Sequence, residues 1–465
     1  MLAYSVTQSH RSTHVDVPLG SNRPIKTRGA SNLTLKDLLE KEISKRRNGR
    51  SSRTHLHVNR ASCTNKLGPL VPVHGQSSNN LVASASRGLR HNHWCGASAG
   101  PELEPRKPVY QVYHPSVPAL PSRAIKAAYW PSDAELHASS IDTSYFTHIY
   151  YAFLLPEPTT FRLNVTASDQ TKLPGLTGMQ KRKLAVKTLL SIGGGGSDPN
   201  VFSRMANSSE TRTAFINSTI EVARKYGFDG VDLDWEYPAD EQDMSNLALL
   251  YKEWRKALDK ESKRSGKIRL LLTSAVYYAS GFQVYGTPRS YPSQAIRKYV
   301  DWVSPMCFDY HGSWENFTGE HSALYDPKSN ISTSYGISSW IRAGVPSRKL
   351  VMGLPLYGRT WTLQNPNVNG VGAPAVGMGP GNGTLTYKQI VEFNVQNHTA
   401  VKFDKKSVSY YSYVGVSWIG YDDVRSVRRK VRFARSQRLG GYFFWALGQD
   451  KNWIISRQAS RAWDY

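Results

Sequence analysis

The stretch FDGVDLDWEYP, from Phe228 to Pro238, decides how the rest of the chain is interpreted. Apolar residues alternate there with acidic ones, as in a strand that is packed between two layers. The acidic residues are Asp229, Asp232, Asp234 and Glu236. Carboxylates are rarely buried unless they have a partner or a function. The stretch therefore predicts a functional site on a buried strand.

Three of these carboxylates are expected on one face of the strand. Side chains alternate between faces, so Asp232, Asp234 and Glu236 should follow each other at intervals of about 6.5 to 7 Å. Three carboxylates in a line cannot all ionise cheaply in a low-dielectric interior, so we expect a shared proton and a raised pKa for the outermost group. This predicts Glu236 as a general acid with Asp234 as its proton-sharing neighbour. On the residues alone, a metal site or a carboxylate network held by arginine remains an alternative.

Eight short apolar runs follow residue 123 and alternate with segments of helical spacing, which predicts an α/β fold, a (β/α)8 TIM barrel. The runs cover residues 125–130, 147–154, 187–194, 230–236, 268–276, 300–310, 349–358 and 440–447. Glu236 ends its run, and active sites of this fold lie at the carboxyl ends of the strands.

The gap between the seventh and eighth runs is much longer than the others. It contains the aromatic and β-branched stretch 410–423, which is typical of an antiparallel strand. The sequence therefore predicts a small α+β insertion between strand 7 and strand 8, at about 362–424, within a catalytic domain that covers residues 123–465.

Residues 1–122 differ in composition from the rest of the chain. Before residue 120 there are 17 Lys and Arg against 6 Asp and Glu, in a chain of net charge +24. This basic, Ser/Arg-rich region is expected to be mostly disordered, and it is interpreted as an organelle transit segment or as an incorrectly assigned start. Within this region the basic residues neither share one helix face nor interleave with aromatic residues, so we expect no nucleic-acid partner.

The three cysteines predict neither a metal site nor a disulfide-dependent fold. Cys63 and Cys95 could pair with each other, and each follows a His-x-His pair, but the spacing fits no standard zinc pattern. Cys307 lies in an apolar run and is expected to be a small buried hydrophobe. We therefore expect no metal and no cofactor.

The sequence contains features that argue against secretion and features that favour it. No run approaches the roughly 18 apolar residues of a membrane span, and the first 30 residues lack a secretory signal core. Against this, eight N-x-Ser/Thr sequons exceed the three or four that composition predicts by chance, which favours a secreted glycoprotein in an extracellular or vacuolar compartment. They begin at Asn32, Asn164, Asn207, Asn217, Asn316, Asn330, Asn382 and Asn397.

Five segments of the chain resemble one known family. DGVDLDWE, residues 229–236, has the full D-x-x-D-x-D-x-E pattern of family 18 glycoside hydrolases, and LLSIGGGG, residues 189–196, is similar to their third-strand motif. The segments 306–312, 353–361 and 441–450 are similar to the motifs of the sixth, seventh and eighth strands. The resemblance covers residues 124–460 in the family's order and is strongest to plant class V chitinases.

The resemblance implies a monomeric glycosidase that cleaves β-1,4 bonds of chitin or of N-acetylglucosamine oligosaccharides with retention, without an enzyme nucleophile. Glu236 would protonate the glycosidic oxygen and then activate water. Asp234 would turn from Asp232 towards the acetamido nitrogen of the substrate and stabilise the developing charge.

The same resemblance implies a set of substrate-binding residues. Trp445 would form the floor under the distorted sugar. The positions that match the cleft lining of the family are Tyr129, Phe153, Met306, Asp309 and Tyr357.

One cleft position departs from the family pattern. The sixth-strand motif usually reads M-x-Y-D, and its tyrosine donates to the acetamido carbonyl oxygen, but this chain has Phe308. Loss of such a donor costs about 1 to 3 kcal/mol of transition-state stabilisation, and Tyr310, on the same face by strand parity, is a candidate substitute. The departure leaves open a weakly active or lectin-like chitin-oligosaccharide binder, and an endo-β-N-acetylglucosaminidase shares the carboxylates. The retained acid Glu236 favours the hydrolase.

Overall fold

The computed structural model of the chain describes residues 124–179, 186–284 and 287–465. The expectations for residues 1–122, including Cys63, Cys95 and the sequon at Asn32, lie outside the described residues.

The strands, in chain order, are β1 (Ile125–Pro131), β2 (His148–Pro156), β3 (Leu163–Asn164), β4 (Lys187–Gly193), β5 (Gly230–Asp234), β6 (Leu271–Tyr277), β7 (Gly281–Gln283), β8 (Pro288–Ser290), β9 (Trp302–Met306), β10 (Val351–Pro355), β11 (Tyr357–Leu363), β12 (Ala375–Met378), β13 (Thr384–Thr386), β14 (Ala400–Asp404), β15 (Ser409–Val414), β16 (Ser417–Tyr421) and β17 (Gly441–Trp445). The α-helices are α1 (Ala167–Thr177), α2 (Pro199–Asn207), α3 (Ser209–Tyr226), α4 (Glu241–Ser265), α5 (Ser293–Tyr299), α6 (Thr333–Arg342), α7 (Tyr387–Gln396), α8 (Val424–Ser436) and α9 (Ile454–Asp464).

Eight of the strands form a parallel barrel, which confirms the predicted fold. Their order is β10-β17-β1-β2-β4-β5-β6-β9, and every neighbouring pair is parallel. A parallel bridge between Val303 in β9 and Leu350, directly before β10, brings the two ends of this sheet together. The barrel is therefore nearly closed, and the carboxyl ends of its strands meet at one face.

The helices that cover the barrel begin and end where the sequence chemistry requires. The side chain of Ser208 caps the start of α3, and Gly227 ends that helix in the left-handed conformation, at φ 80°. The Asp240 carboxylate caps α4 in the same way. Facing buried side chains hold the two helices together, as in the edge contact of Phe215 with Trp254 at 5.1 Å between ring centroids. Of the helices that the structure describes, none has the length and apolar character that a membrane span needs.

The insertion between β10 and β17 is a second, antiparallel sheet that carries helix α7. Its strand order is β12-β11-β16-β15-β14, with β13 paired to β11. The sheet begins at Tyr357, ahead of the boundary expected near 362, because β11 follows β10 after a single residue. The stretch 410–423 forms two strands instead of one, since Gly415 at φ 51° turns the chain into a hairpin.

Candidate active site

A cleft of about 490 Å³ opens at the carboxyl ends of the barrel strands. Most residues that the sequence predicted for the site lie in its wall. These are Asp234, Glu236, Trp445, Tyr129, Phe153, Met306, Phe308, Asp309 and Tyr310. Two predicted residues, Asp232 and Tyr357, lie behind the wall. The cleft therefore gathers side chains from barrel strands and from the loops that follow them.

Asp232 is the innermost carboxylate and is fully buried beneath the cleft. It accepts hydrogen bonds from the hydroxyls of Tyr129 at 2.9 Å, Ser191 at 2.7 Å and Thr273 at 2.5 Å. Burial raises the pKa of Asp232, and these three hydroxyls lower it by stabilising the ionised form. Asp232 is thus a fixed buried carboxylate below the next acid in the row.

Asp234 lies in the wall of the cleft and is 4% exposed. Its pKa is raised well above the ordinary value, first by burial and then by the charges of Glu236 and Asp232. Its Oδ1 atom is buried and has no hydrogen-bond partner among the described residues. A buried oxygen without a partner is costly, so a substrate donor at this position would be well bound.

Glu236 is half-buried, just beyond the end of β5. Its pKa is raised to about 7, mainly by burial, while Tyr237 lowers it and the charge of Asp309 raises it further. The charge of Glu236 in turn raises the pKa of Asp234, so the two carboxyl groups titrate as a pair. The sequence predicts such a raised pKa for the outermost carboxylate, and the role of Glu236 as a general acid stays a prediction.

Two glycines of the third-strand motif let the backbone pass close to Asp234 and to the Phe153 ring. Gly193 has φ 117°, and a Cβ atom there would lie 2.0 Å from the carbonyl oxygen of Asp234. Gly194 has φ 88°, and a Cβ atom there would lie 2.4 Å from the Phe153 ring. The motif therefore supports the cleft through its backbone.

Aromatic rings form the floor of the cleft. Trp445, at the end of β17, stacks on Phe153 with ring centroids 5.6 Å apart and an interplanar angle of 19°. Tyr129 contacts both rings, at 5.7 and 6.2 Å. Trp445 is half-buried, so one part of the indole is packed and another part faces the cleft. Such a flat apolar surface suits the face of a pyranose ring.

An arginine from the inserted sheet anchors the acid that follows β9. Arg359 Nε donates to Asp309 Oδ1 at 2.7 Å, and Arg359 Nη1 donates to Thr384 in β13. Burial alone would raise the pKa of Asp309, but the charges and hydrogen bonds of Arg359 and His321 hold it well below its usual range. Asp309 is therefore an ionised group beside Glu236.

The hydroxyl of Tyr310, the candidate substitute for a tyrosine at position 308, already has a threonine partner. The Phe308 ring packs edge-on against Tyr357 and Phe443, at 6.2 and 6.0 Å. The Tyr310 hydroxyl lies 3.0 Å from Thr333 Oγ1, in a buried contact. Strand parity does not extend to Tyr310, because β9 ends at Met306 and Asp309 has the left-handed φ of 59°.

The sequence reasoning missed several residues that line or support the cleft, among them Tyr237, Trp314 and Arg359. Tyr237 and Trp314 lie in the wall, and Arg359 stacks on Trp314 at 5.2 Å. Arg359 lies within the seventh-strand segment, so its charge in an apolar run was a usable signal. Trp314 and Tyr237 lie in loops, where periodicity says little about direction. No group of three or more His, Cys, Asp or Glu within the described residues is arranged to hold a metal ion.

Residues 125–450 match the family model of the glycosyl hydrolases family 18. The match covers more than half of the chain and includes all eight barrel strands and every cleft residue named above. The chain belongs to this family. It is 59% identical over 343 residues to the class V chitinase CHIT5 of Lotus japonicus, covering 73% of this chain and 86% of that protein. Membership makes the chain a glycosidase, as the motifs indicated.

Two solved structures are similar to this member of family 18. A mutant of the class V chitinase of Nicotiana tobaccum, in complex with NAG4, has a TM-score of 0.71 and 38% identity, covering 74% of this chain and 99% of that one. The chitinase-like agglutinin of Robinia pseudoacacia has a TM-score of 0.68 and 40% identity, with 73% and 100% covered.

Proposed function

We propose that this family 18 member hydrolyses the β-1,4 bonds between N-acetylglucosamine units by a retaining, substrate-assisted mechanism. The observation that carries the proposal is Glu236 at the mouth of β5, with a pKa of about 7, directly above Asp234 and beside an aromatic floor. A carboxyl group that is protonated near neutral pH can donate to a glycosidic oxygen. The class V chitinase names of its relatives agree with this substrate.

The first step breaks the glycosidic bond. Glu236 gives its proton to the glycosidic oxygen, and the leaving sugar departs as an alcohol. The acetamido oxygen of the retained sugar attacks the anomeric carbon and forms an oxazolinium ion. Asp234 accepts the acetamido N–H at the oxygen that has no hydrogen-bond partner among the described residues and stabilises the positive charge.

The second step restores the acid. Glu236, now ionised, removes a proton from water as the water attacks the anomeric carbon from the face that the leaving group vacated. The oxazolinium ring opens, and the product has the same anomeric configuration as the substrate. Asp232 keeps its three hydroxyl donors throughout and lies below Asp234, which turns from it towards the substrate.

Product stereochemistry tests this mechanism. The full chain is incubated with the N-acetylglucosamine hexamer, and proton NMR follows the anomeric signals in the first minutes. The proposal predicts shorter oligomers whose new reducing ends appear first in the β form and then mutarotate. New reducing ends that appear first in the α form would contradict it.

A second candidate function is chitin-oligosaccharide binding with little or no hydrolysis. The observation that favours it is Phe308, which leaves the cleft without the tyrosine hydroxyl that the family pattern places there. The similarity to a chitinase-like agglutinin gives it a precedent of the same fold. Calorimetric binding of the tetramer with no product release after prolonged incubation would favour this candidate over the hydrolase.

We further propose a secreted or vacuolar glycoprotein that acts as a monomer. Supporting this, the seven sequon asparagines within the described residues are all exposed, from Asn164 to Asn397. Exposed sequons are available to carry glycans. Glycopeptide mass spectrometry on protein from a plant secretory host tests the glycans, and light scattering tests the monomer. Sequons that are all unmodified would contradict this localisation.

A further inference from the structure

We propose that the exposed face of helix α8 is a binding site for a linear polyuronate, a polysaccharide with regularly spaced carboxylates. The helix carries many arginines and has no acidic residue between Val424 and Ser436. Six arginines on or directly after it are exposed, namely Arg425, Arg428, Arg429, Arg432, Arg435 and Arg438. This binding is independent of the catalytic proposal, because it uses none of the cleft residues.

The arginines form one stripe along the helix. At about 100° per residue, the five between Arg425 and Arg435 fall within an arc of about 120°, and they extend over about 15 Å of the helix axis. The opposite face is buried, with Val427, Val431 and Ala434 in the core. The helix packs against β17 and α9 on the outside of the barrel, so the stripe faces away from the protein.

The stripe lacks compensating charges. None of its arginines forms an ion pair with a carboxylate of the described residues. Helix α4, in contrast, contributes partners to four pairs, Arg212–Glu253, Arg224–Glu261, Arg255–Asp301 and Arg269–Asp259. Like charges three and four residues apart on a helix repel each other, and a cation in the first turn opposes the helix dipole. The face is therefore unfavourable by itself, and an anionic ligand would relieve that repulsion.

Part of the stripe is held in place before any ligand arrives. The guanidinium groups of Arg425 and Arg429 lie over the ring of Phe403 in β14, at 4.3 and 5.4 Å from its centroid. Stacking on a ring fixes the plane of a guanidinium and leaves its edge free for a carboxylate. Less conformational entropy is then lost when a ligand binds.

The surroundings of the stripe favour a carboxylated polysaccharide over other polyanions. A guanidinium fork matches a carboxylate in a paired hydrogen bond, and one carboxylate per sugar gives a regular row of such partners. The rings of Phe403 and Phe433 at the stripe are both half-buried. Two arginines already cover Phe403, and Tyr325 contacts Phe433, so this face does not favour the stacking of a row of nucleobases. The apolar face of the helix is buried in the protein, so it is not available to enter a lipid surface. Such a site would hold the enzyme in an acidic polysaccharide matrix with its cleft open.

Co-sedimentation and calorimetry of the full chain with polygalacturonate test the proposal. The variant Arg428→Glu/Arg432→Glu/Arg435→Glu should bind at least about tenfold more weakly, because three exposed charge pairs become repulsions. The matched control Lys252→Glu/Lys256→Glu/Lys260→Glu makes the same charge change at exposed positions of α4 and should bind like the wild type. Binding should weaken steeply with salt and should fall when the polygalacturonate is fully methyl-esterified.

Three further comparisons make the outcome decisive. The variant Arg428→Lys/Arg432→Lys/Arg435→Lys keeps the charge and should still lose part of the affinity, since lysine lacks the fork. Unchanged thermal unfolding and tetramer hydrolysis would show that the variants fold. Equal weakening by the α4 control, equal binding of esterified polymer, or tighter binding to duplex DNA or to phosphatidylserine vesicles at the same charge concentration would overturn the proposal.

Discussion

The carboxylate of Asp309 lies 2.7 Å from the guanidinium of Arg359, and this contact joins the end of the sixth barrel strand to the first strand of the inserted sheet. The same arginine stacks on Trp314 at the cleft wall. Asp309 in turn raises the pKa of Glu236 through its charge. The insertion therefore contributes to the electrostatics of the acid, although no residue of it supplies a carboxylate to the cleft that the structure describes.

Replacing Arg359 should destabilise the protein in a pH-dependent way. The pKa of Asp309 is lower in the folded protein than in the unfolded chain, so its pairing contributes stability above about pH 4 that is lost as the pH falls through the folded value. Arg359→Ala leaves the buried carboxylate of Asp309 without its arginine and with only His321 beside it, which costs about 3 kcal/mol at neutral pH. The difference in unfolding free energy from the wild type should shrink in acid, as urea denaturation at several pH values would show.

Arg359→Lys is the conservative control for this contact. It retains a positive charge near Asp309 but loses the fork and the stacking on Trp314, so it should be destabilised less than Arg359→Ala. A deficit that stays constant as the pH falls from neutral into strong acid would show that the contact stabilises through packing alone.

Glu236→Gln should stabilise the folded protein at neutral and alkaline pH. The pKa of Glu236 rises to about 7 on folding. Between about pH 4.5 and about pH 7 this group is therefore ionised in the unfolded chain but still protonated in the folded protein, so the wild type loses stability as the pH rises through this range. The neutral amide has no such penalty. The melting temperature of Glu236→Gln should exceed that of the wild type only slightly at about pH 4 and by its full amount above about pH 7. A difference that instead shrinks as the pH rises would mean that the folded protein stabilises the ionised carboxylate.

The rate of hydrolysis should fall on the alkaline side near pH 7. The reaction needs the protonated form of Glu236, which is lost as the pH rises through about 7. Measurement of kcat/KM on the tetramer from about pH 4 to about pH 9 reports this ionisation in the free enzyme. A profile that stays flat over the whole alkaline range would exclude Glu236 as the titrating acid.

Phe308→Tyr should raise activity. A tyrosine hydroxyl at this wall position would donate to the acetamido oxygen as it attacks, which is worth about 1.4 kcal/mol, or about tenfold in kcat. Phe308→Leu is the control, because it removes the ring without adding a donor and should not increase the rate. If the tyrosine variant is no faster than the wild type, the cleft already supplies that hydrogen bond from another residue.

The barrel was predictable because its strands are buried on both faces. Each predicted run overlaps the strand observed, as with 187–194 for β4 and 230–236 for β5. Some runs overshoot the strand, since apolar composition continues into the loops: the predicted 300–310 becomes a strand of five residues, Trp302–Met306. Strand parity fails beyond that point, and the Tyr310 hydroxyl contacts Thr333.

The cleft residues at the ends of barrel strands could be predicted from sequence motifs. Those in loops and in the inserted sheet were much harder to predict. Asp234, Glu236 and Trp445 follow from short patterns whose position in the fold is fixed. Trp314 depends on the path of a loop, and the role of Arg359 depends on how the inserted sheet folds back over β9. The contact of Arg359 with Asp309 joins residues 50 positions apart in sequence, so a local sequence pattern does not predict it.

The most direct test of the central claim is product release from the N-acetylglucosamine tetramer by the full chain and by Glu236→Gln, with tetramer binding measured on both. The account predicts cleavage by the wild type, a loss of at least about 10²-fold in rate in the variant, as expected for a general acid, and binding that the variant retains. Equal cleavage by both proteins, or binding without cleavage by both, would contradict Glu236 as the catalytic acid of this enzyme.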